Sequence, residues 1–206
     1  QGRCAMSIPC DIEGKRVLDV CCRKGKGAFA LADAVGTLGF VVGVDPDAGN
    51  VAAACAAAPK NHWAGASWDR HLRFFPAIPE NLSQACIEDG SFDLVYINSV
   101  VNLAWSLPVA LAEFARVLTP GGRLWIAQGV FAEDGFGAQG DIVGESGPID
   151  VFSQARSCAA LERMCLEAGF SSVSFSSISP LVGESLSDGG CSDGESFYLA
   201  DACATI

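Results

Sequence analysis

Lys15-Arg16-Val17-Leu18-Asp19-Val20-Cys21-Cys22-Arg23-Lys24-Gly25-Lys26-Gly27 is the stretch on which the fold turns. A basic pair leads into a short apolar run, Val17 to Cys21, of the kind that a strand buried on both faces requires. A glycine-containing turn follows, and the alanines and leucines from Ala28 to Val35 suit a helix that Gly36 and Gly39 stop. Strand, turn and helix in that order open a βαβ unit.

The unit repeats along the chain. Phe40 to Asp45 reads as a second strand, and Asp47 can cap an alanine-rich helix that reaches about Ala58 before Pro59 closes it. Leu72 to Phe75 and Asp93 to Asn98 are the third and fourth strands. A helix from Pro108 to Leu118 ends at Thr119-Pro120-Gly121-Gly122, and Arg123 to Gln128 is the fifth strand. Glu133 to Pro148 reads as an acidic, glycine-rich loop, and Ser153 to Ala168 as an amphipathic helix with Gly169 as its stop. Ser171 to Ser179 alternates apolar residues with serines, as a half-exposed strand does, and a loop from Gly183 to Gly194 joins it to a last strand from Ser196 to Ala204. The expected fold is therefore α/β, a doubly wound, mostly parallel, seven-stranded sheet with a C-terminal antiparallel hairpin.

With 206 residues, the chain is read as a single domain spanning residues 1–206. The formal charge of −11 is the wrong sign for neutralising nucleic-acid phosphates or an anionic membrane surface, so neither is expected as a partner. The uncharged stretch from Leu94 to Ala112 is interrupted by Asn98, Ser99, Asn102 and Pro108, which argues against a membrane span. No secretory signal pattern is visible. The ten cysteines show no zinc-knuckle spacing, and most fall where a free thiol packs as a small hydrophobe, so reduced thiols in a cytoplasm and no metal site are expected.

In a doubly wound sheet the ligand lies outside the carboxyl ends of the strands, where strand order reverses, which puts the turn after Val20 in the site. A dinucleotide fingerprint needs three glycines so that backbone can meet a pyrophosphate, and this turn lacks that spacing. Asp19 and Gly25 fit another pattern, the D-x-G-x-G-x-G turn of S-adenosylmethionine-dependent methyltransferases, with Cys21 and Arg23 in place of the first two glycines. Asp45, ending the second strand, has the chemistry to accept both ribose hydroxyls of an adenosine cofactor. Phe92-Asp93-Leu94-Val95-Tyr96-Ile97-Asn98 and Leu118-Thr119-Pro120-Gly121-Gly122-Arg123-Leu124 resemble the fourth strand and following helix-to-strand turn of the class I small-molecule methyltransferases.

The resemblance narrows further. Phe74-Phe75-Pro76-Ala77-Ile78-Pro79-Glu80-Asn81-Leu82 and Asn98-Ser99-Val100-Val101-Asn102-Leu103 are similar to the corresponding segments of arsenite methyltransferases, over roughly Cys4 to Phe170. In that family three cysteine thiolates hold trivalent arsenic while its lone pair attacks the cofactor's methyl group. Cys4 matches the first position, but Ser99 and Ser146 stand at the other two, and a hydroxyl is a poor ligand for a soft ion. The resemblance implies a Rossmann-like fold and S-adenosyl-L-methionine as cofactor; the serines argue for a small-molecule acceptor other than arsenite.

By this resemblance Asp19, Val20, Cys21 and Gly25 border the methionine end, with Arg23, Lys24 or Lys26 a candidate partner for its carboxylate. Asp45 and Pro46 hold the ribose, Ala77 and Ile78 lie near the adenine, and Asn98 and Ser99 face the transferred methyl. Val100, Asn102, Cys4 and Ser146 are expected on the substrate side. No obligatory catalytic side chain follows, because methyl transfer from a sulfonium needs placement above all. Two alternatives stay open: an inactive methyltransferase-like module, if Arg23 fills the pocket, and a nucleotide-dependent oxidoreductase that uses the basic turn for phosphates. His62 and His71 read as surface-loop histidines, Glu133, Asp134, Asp141 and Glu145 as a solvated acidic loop, and Phe74, Phe75, Trp105 and Trp125 as packed aromatics.

Overall fold

The apolar run at Val17 is the inner strand β1 (Arg16–Val20), whose last four residues are buried. It belongs to a computed structural model that describes residues 6–133, 151, 154–181 and 197–206. After β1 come α1 (Lys26–Val35), β2 (Phe40–Asp45), α2 (Ala48–Asn61), β3 (Leu72–Pro76) and β4 (Phe92–Asn98). The second half holds α3 (Leu107–Val117), β5 (Leu118–Ala132), the short β6 (Arg156–Ser157), α4 (Cys158–Glu167), β7 (Ser172–Pro180) and β8 (Phe197–Thr205).

The strands lie in the order β3-β2-β1-β4-β5-β8-β7, with β6 beside the end of β5. Strands β1 to β5 pair in parallel, and β8 enters antiparallel between β5 and β7. The expected doubly wound sheet and its antiparallel C-terminal pair are thus both present, with β6 as an additional two-residue strand. Strand order reverses between β1 and β4. Their carboxyl ends, at Val20 and Asn98, flank the crevice where such sheets bind ligands.

Side-chain alternation sends successive residues of β1 to opposite layers. Val17 joins Val41, Leu72 and Leu94 against Leu31 and Ala54 of α1 and α2. Leu18 and Val20 join Val95, Ile97 and Leu124 against Leu111 and Phe114 of α3 and Leu161 of α4. Phe114 is fully buried, and its truncation to Ala costs about 3–5 kcal/mol by lost contacts and the cavity left behind.

Element ends differ from the sequence reading in instructive ways. The helix expected from Ser153 starts at Cys158, because Arg156–Ser157 pairs with Phe131 and Ala132 and the Ser157 hydroxyl accepts from Ala160 N at 3.2 Å as an N-cap. Helix α2 runs past Pro59 to Asn61, since only a single N–H is lost in its last turn and His62 N still reaches Ala58 O at 3.0 Å. Strand β5 starts at Leu118, five residues early; the pairing skips Thr119-Pro120-Gly121-Gly122 and resumes at Arg123.

Two side-chain expectations are corrected. His62 is buried rather than on the surface: as the C-cap of α2 its ring turns under Trp63 at 4.9 Å, with Nδ1 3.1 Å from Asp33 Oδ1. Trp105 is 84% exposed, because it precedes α3 on the rim of the crevice and no described element covers it. Cys4, Ser146, the loop from Gly183 to Gly194 and nearly all of the acidic loop lie outside the described residues. Cys10, Cys21, Cys22, Cys55, Cys86, Cys165 and Cys203 are free thiols, and among the described residues no helix is long and apolar enough to cross a membrane.

Candidate active site

The turn after β1 keeps the backbone of a glycine turn without the glycines. Cys21, Arg23 and Gly25 all have left-handed φ, at 57°, 51° and 85°. These are the three positions at which the D-x-G-x-G-x-G pattern places glycine. A side chain in that conformation costs about 1–2 kcal/mol, strain of the kind that persists where the surroundings over-determine it. Here Cys22 N donates to Val44 O at 3.0 Å and Gly25 N to Cys22 O at 2.9 Å, which fixes the turn against β2. Gly25 itself is obligatory, since a Cβ there would meet Phe29 Cζ at 2.8 Å.

Asp45 ends β2 and is 4% exposed. Its Oδ2 accepts from Arg23 N at 2.8 Å, and its Oδ1 from Asp47 N at 3.1 Å and Asn50 Nδ2 at 3.0 Å. The strained turn and the carboxylate therefore hold each other. Asp19 lies deeper, and its Oδ2 is buried without any hydrogen-bond partner. Burial, and then the charge of Asp45, push the Asp19 carboxyl up to about 8. The Cys21 thiol is pushed up to about 12 by its burial first and then by Asp45, so it is held neutral.

A cavity of about 340 Å³ opens at this crevice, walled by Cys21, Arg23, Asp45, Pro46, Ile78 and Val100. These six were expected from the sequence. Pro79, Glu80, Leu103, Ala104 and Trp105 also line it and were not expected. The Glu80 carboxylate ties the two rims by accepting from Ser106 N at 3.1 Å. Asp19, Val20, Gly25, Ala77, Asn98 and Ser99 frame the crevice without lining this cavity. Ser99 has a left-handed φ of 64° and donates its hydroxyl to Asn98 Oδ1 at 3.0 Å. Asn102 is buried, and its amide donates to Val130 O at 2.6 Å, so it ties a short 3-10 turn to β5 instead of facing a substrate.

Trp105 could have been found from its neighbours: Leu103-Ala104-Trp105-Ser106-Leu107-Pro108 is a loop before a helix start, where an aromatic has no helical face on which to hide. Asn50, three residues beyond the cap at Asp47, carried no such signal.

A buried carboxylate beside a left-handed turn and a second, partnered carboxylate at the neighbouring strand end define the site of a Rossmann-like, class I S-adenosylmethionine-dependent methyltransferase. The chain belongs to the methyltransferase domain family, which it matches over residues 18–126, more than half of its length. It is 33% identical to an arsenite methyltransferase of Aquipseudomonas alcaligenes over 130 residues, 63% of this chain and 37% of the relative. It is 31% identical to a demethylmenaquinone methyltransferase of Lactococcus lactis over 114 residues, 55% of this chain and 42% of the relative. The structure of an arsenic(III) S-adenosylmethionine methyltransferase from Chlamydomonas reinhardtii superposes with a TM-score of 0.78 at 27% identity, covering 95% of this chain and 65% of the other. The chain thus spans less than half the length of these two curated relatives.

S-adenosylmethionine is the cofactor of this fold and family, and the residues present fit it. The turn retains its left-handed backbone, Arg23 is exposed at the wall of the cavity, and the orphaned, buried Asp19 oxygen is a polar group without a partner that an ammonium would satisfy once the carboxyl gives up its proton.

Proposed function

We propose that the chain transfers a methyl group from S-adenosylmethionine to a small-molecule acceptor other than arsenite. The observation that carries this reading is the left-handed backbone at Cys21, Arg23 and Gly25, clamped by the Arg23 N–H on Asp45, which keeps a cofactor turn in shape despite two lost glycines. The cofactor supplies an electrophilic methyl on a sulfonium, and the chain's residues supply position. Asp45 is set to accept from ribose hydroxyls, Asp19 to pair with the methionine ammonium, and Asn98 and Ser99 to border the space where acceptor and methyl meet. In-line placement in a crevice shielded from water carries the rate, and no side chain needs to take a proton from an acceptor that is already nucleophilic.

Ser99 is the reason for setting arsenite aside. It stands where the resemblance expects a thiolate, and its hydroxyl is occupied on Asn98. The inactive-module and oxidoreductase alternatives draw no support from the family match. Calorimetric titration with S-adenosylhomocysteine tests the reading: micromolar affinity is expected, and no heat at millimolar ligand would sink it. Arsenite is expected neither to bind nor to be methylated.

A further inference from the structure

Eight large hydrophobic side chains are exposed among the described residues, and three of them line the cavity at the crevice: Ile78 at 39%, Leu103 at 42% and Trp105 at 84%. Isolated exposed hydrophobics need no explanation, but three converging on the rim of a cavity that also holds Asp45 do. The cavity is lopsided. It reaches Asp45 and Pro46 at its ribose side and stops at Cys21 and Arg23 toward Gly25.

We infer that this chain anchors its cofactor by the nucleoside half, with the Trp105 indole closing over the purine against Ile78 and Leu103. The inference rests on the cofactor reading above and adds where the binding energy resides. A purine presents two π-faces, and an exposed indole beside an apolar rim gains both stacking and burial when it covers one. Asp45, held by three donors, meets the sugar without rearrangement. The other half has less to offer: side chains at Cys21 and Arg23 replace two bare glycine positions, and Asp19 must give up a proton before it can attract an ammonium. The structure thereby assigns Trp105 as a positioning residue for the cofactor.

Titration of the full chain with S-adenosylhomocysteine and with 5′-methylthioadenosine, which keeps the nucleoside and lacks the amino acid, tests this. At pH 7 the two are expected to bind within about fivefold of each other, a difference of under about 1 kcal/mol in the methionine half's contribution. W105A is expected to weaken both by about 10- to 100-fold, the range for loss of one base–aromatic stack, with W105F staying within a few-fold of wild type. Because Trp105 is exposed, far-UV circular dichroism of W105A should match wild type. Tryptophan emission should change on titration of the wild type and not of W105F. Methylthioadenosine binding more than about 100-fold weaker than S-adenosylhomocysteine overturns the inference, as does W105A binding both like wild type. If the wild type binds neither ligand, the cofactor reading itself falls.

Discussion

Asp45 ends β2 and Asp19 lies one residue before the end of the neighbouring β1; both are buried, and they are treated oppositely by their surroundings. Asp45 receives three hydrogen bonds, from Arg23 N, Asp47 N and Asn50 Nδ2. Asp19 has a buried oxygen with no partner at all, and its carboxyl is pushed up to about 8 by desolvation and then by Asp45. One end of the crevice is finished before a ligand arrives. The other is left unsatisfied, and the fold bears the cost of it.

The harshest way to break the comparison is to remove the finished end. Asp45→Ala strands three donors in a nearly buried position, so stability should fall by about 2–4 kcal/mol in chemical denaturation. Affinity for S-adenosylhomocysteine should fall about 100-fold with it, the equivalent of one charge-assisted ribose contact. A variant that unfolds and binds like wild type would mean that Asp45 is not the anchor.

Asp19 should behave in the opposite sense. Its folded-state value of about 8 lies above the ordinary 3.8, so folding favours the protonated form. That contribution is fully present below about pH 4 and is lost as pH rises toward 8, at about 1.4 kcal/mol per pH unit in between. Asp19→Asn should remove this slope and leave the unliganded protein more stable than wild type at pH 8. Ligand binding reports the mirror image: affinity for S-adenosylhomocysteine should rise between pH 6 and 8 in wild type and be flat in the variant. Methylthioadenosine, with no ammonium, should bind independently of pH over that range. A flat stability profile in wild type would remove Asp19 from the account.

Both carboxylates were legible in the sequence, Asp45 because it ends an apolar run before a turn and Asp19 because it stands in such a run six residues before Gly25, signals written in neighbouring residues. What made them different was not. The donors on Asp45 come from three separate positions on the turn and on α2, and Asp19's isolation depends on what β4 and the segment before β1 leave uncovered. Exposure was misread for the same reason. His62 stands in sequence surroundings that suggest the reverse of its burial, and only the packing at the end of α2 decides it; for Trp105 the loop before α3 did carry the signal of exposure. The start of α4 failed through β6, a pairing across the sheet that no local pattern announces.

A gentler test acts on the turn that joins the two ends. Arg23 sits at φ 51° and contributes its backbone N–H, not its side chain, to Asp45. Arg23→Gly keeps that bond, relieves the left-handed strain and opens the methionine end. Stability should rise by up to about 1 kcal/mol after the greater chain entropy of glycine is deducted. S-adenosylhomocysteine should bind somewhat more tightly while methylthioadenosine is unchanged. Equal tightening of both ligands would show that the turn does not separate the two halves.

The smallest effect is read by Cys21, which feels both carboxylates at once. Its thiol is pushed up to about 12 by burial, then by Asp45, then by Asp19. At pH 7 it should therefore react with iodoacetamide far more slowly than the exposed Cys10 and Cys86, as peptide mass spectrometry can follow. The two carboxylates do not act equally, because Asp19 is still largely protonated at that pH and carries little charge. Asp45→Asn should thus speed labelling of Cys21 a few-fold, and Asp19→Asn should leave it nearly unchanged. At pH 9, with Asp19 ionised in wild type, both variants should label faster than wild type. A Cys21 that responds equally to the two substitutions at pH 7 would mean that Asp19 is already charged, and the contrast between the finished and unfinished ends would be gone.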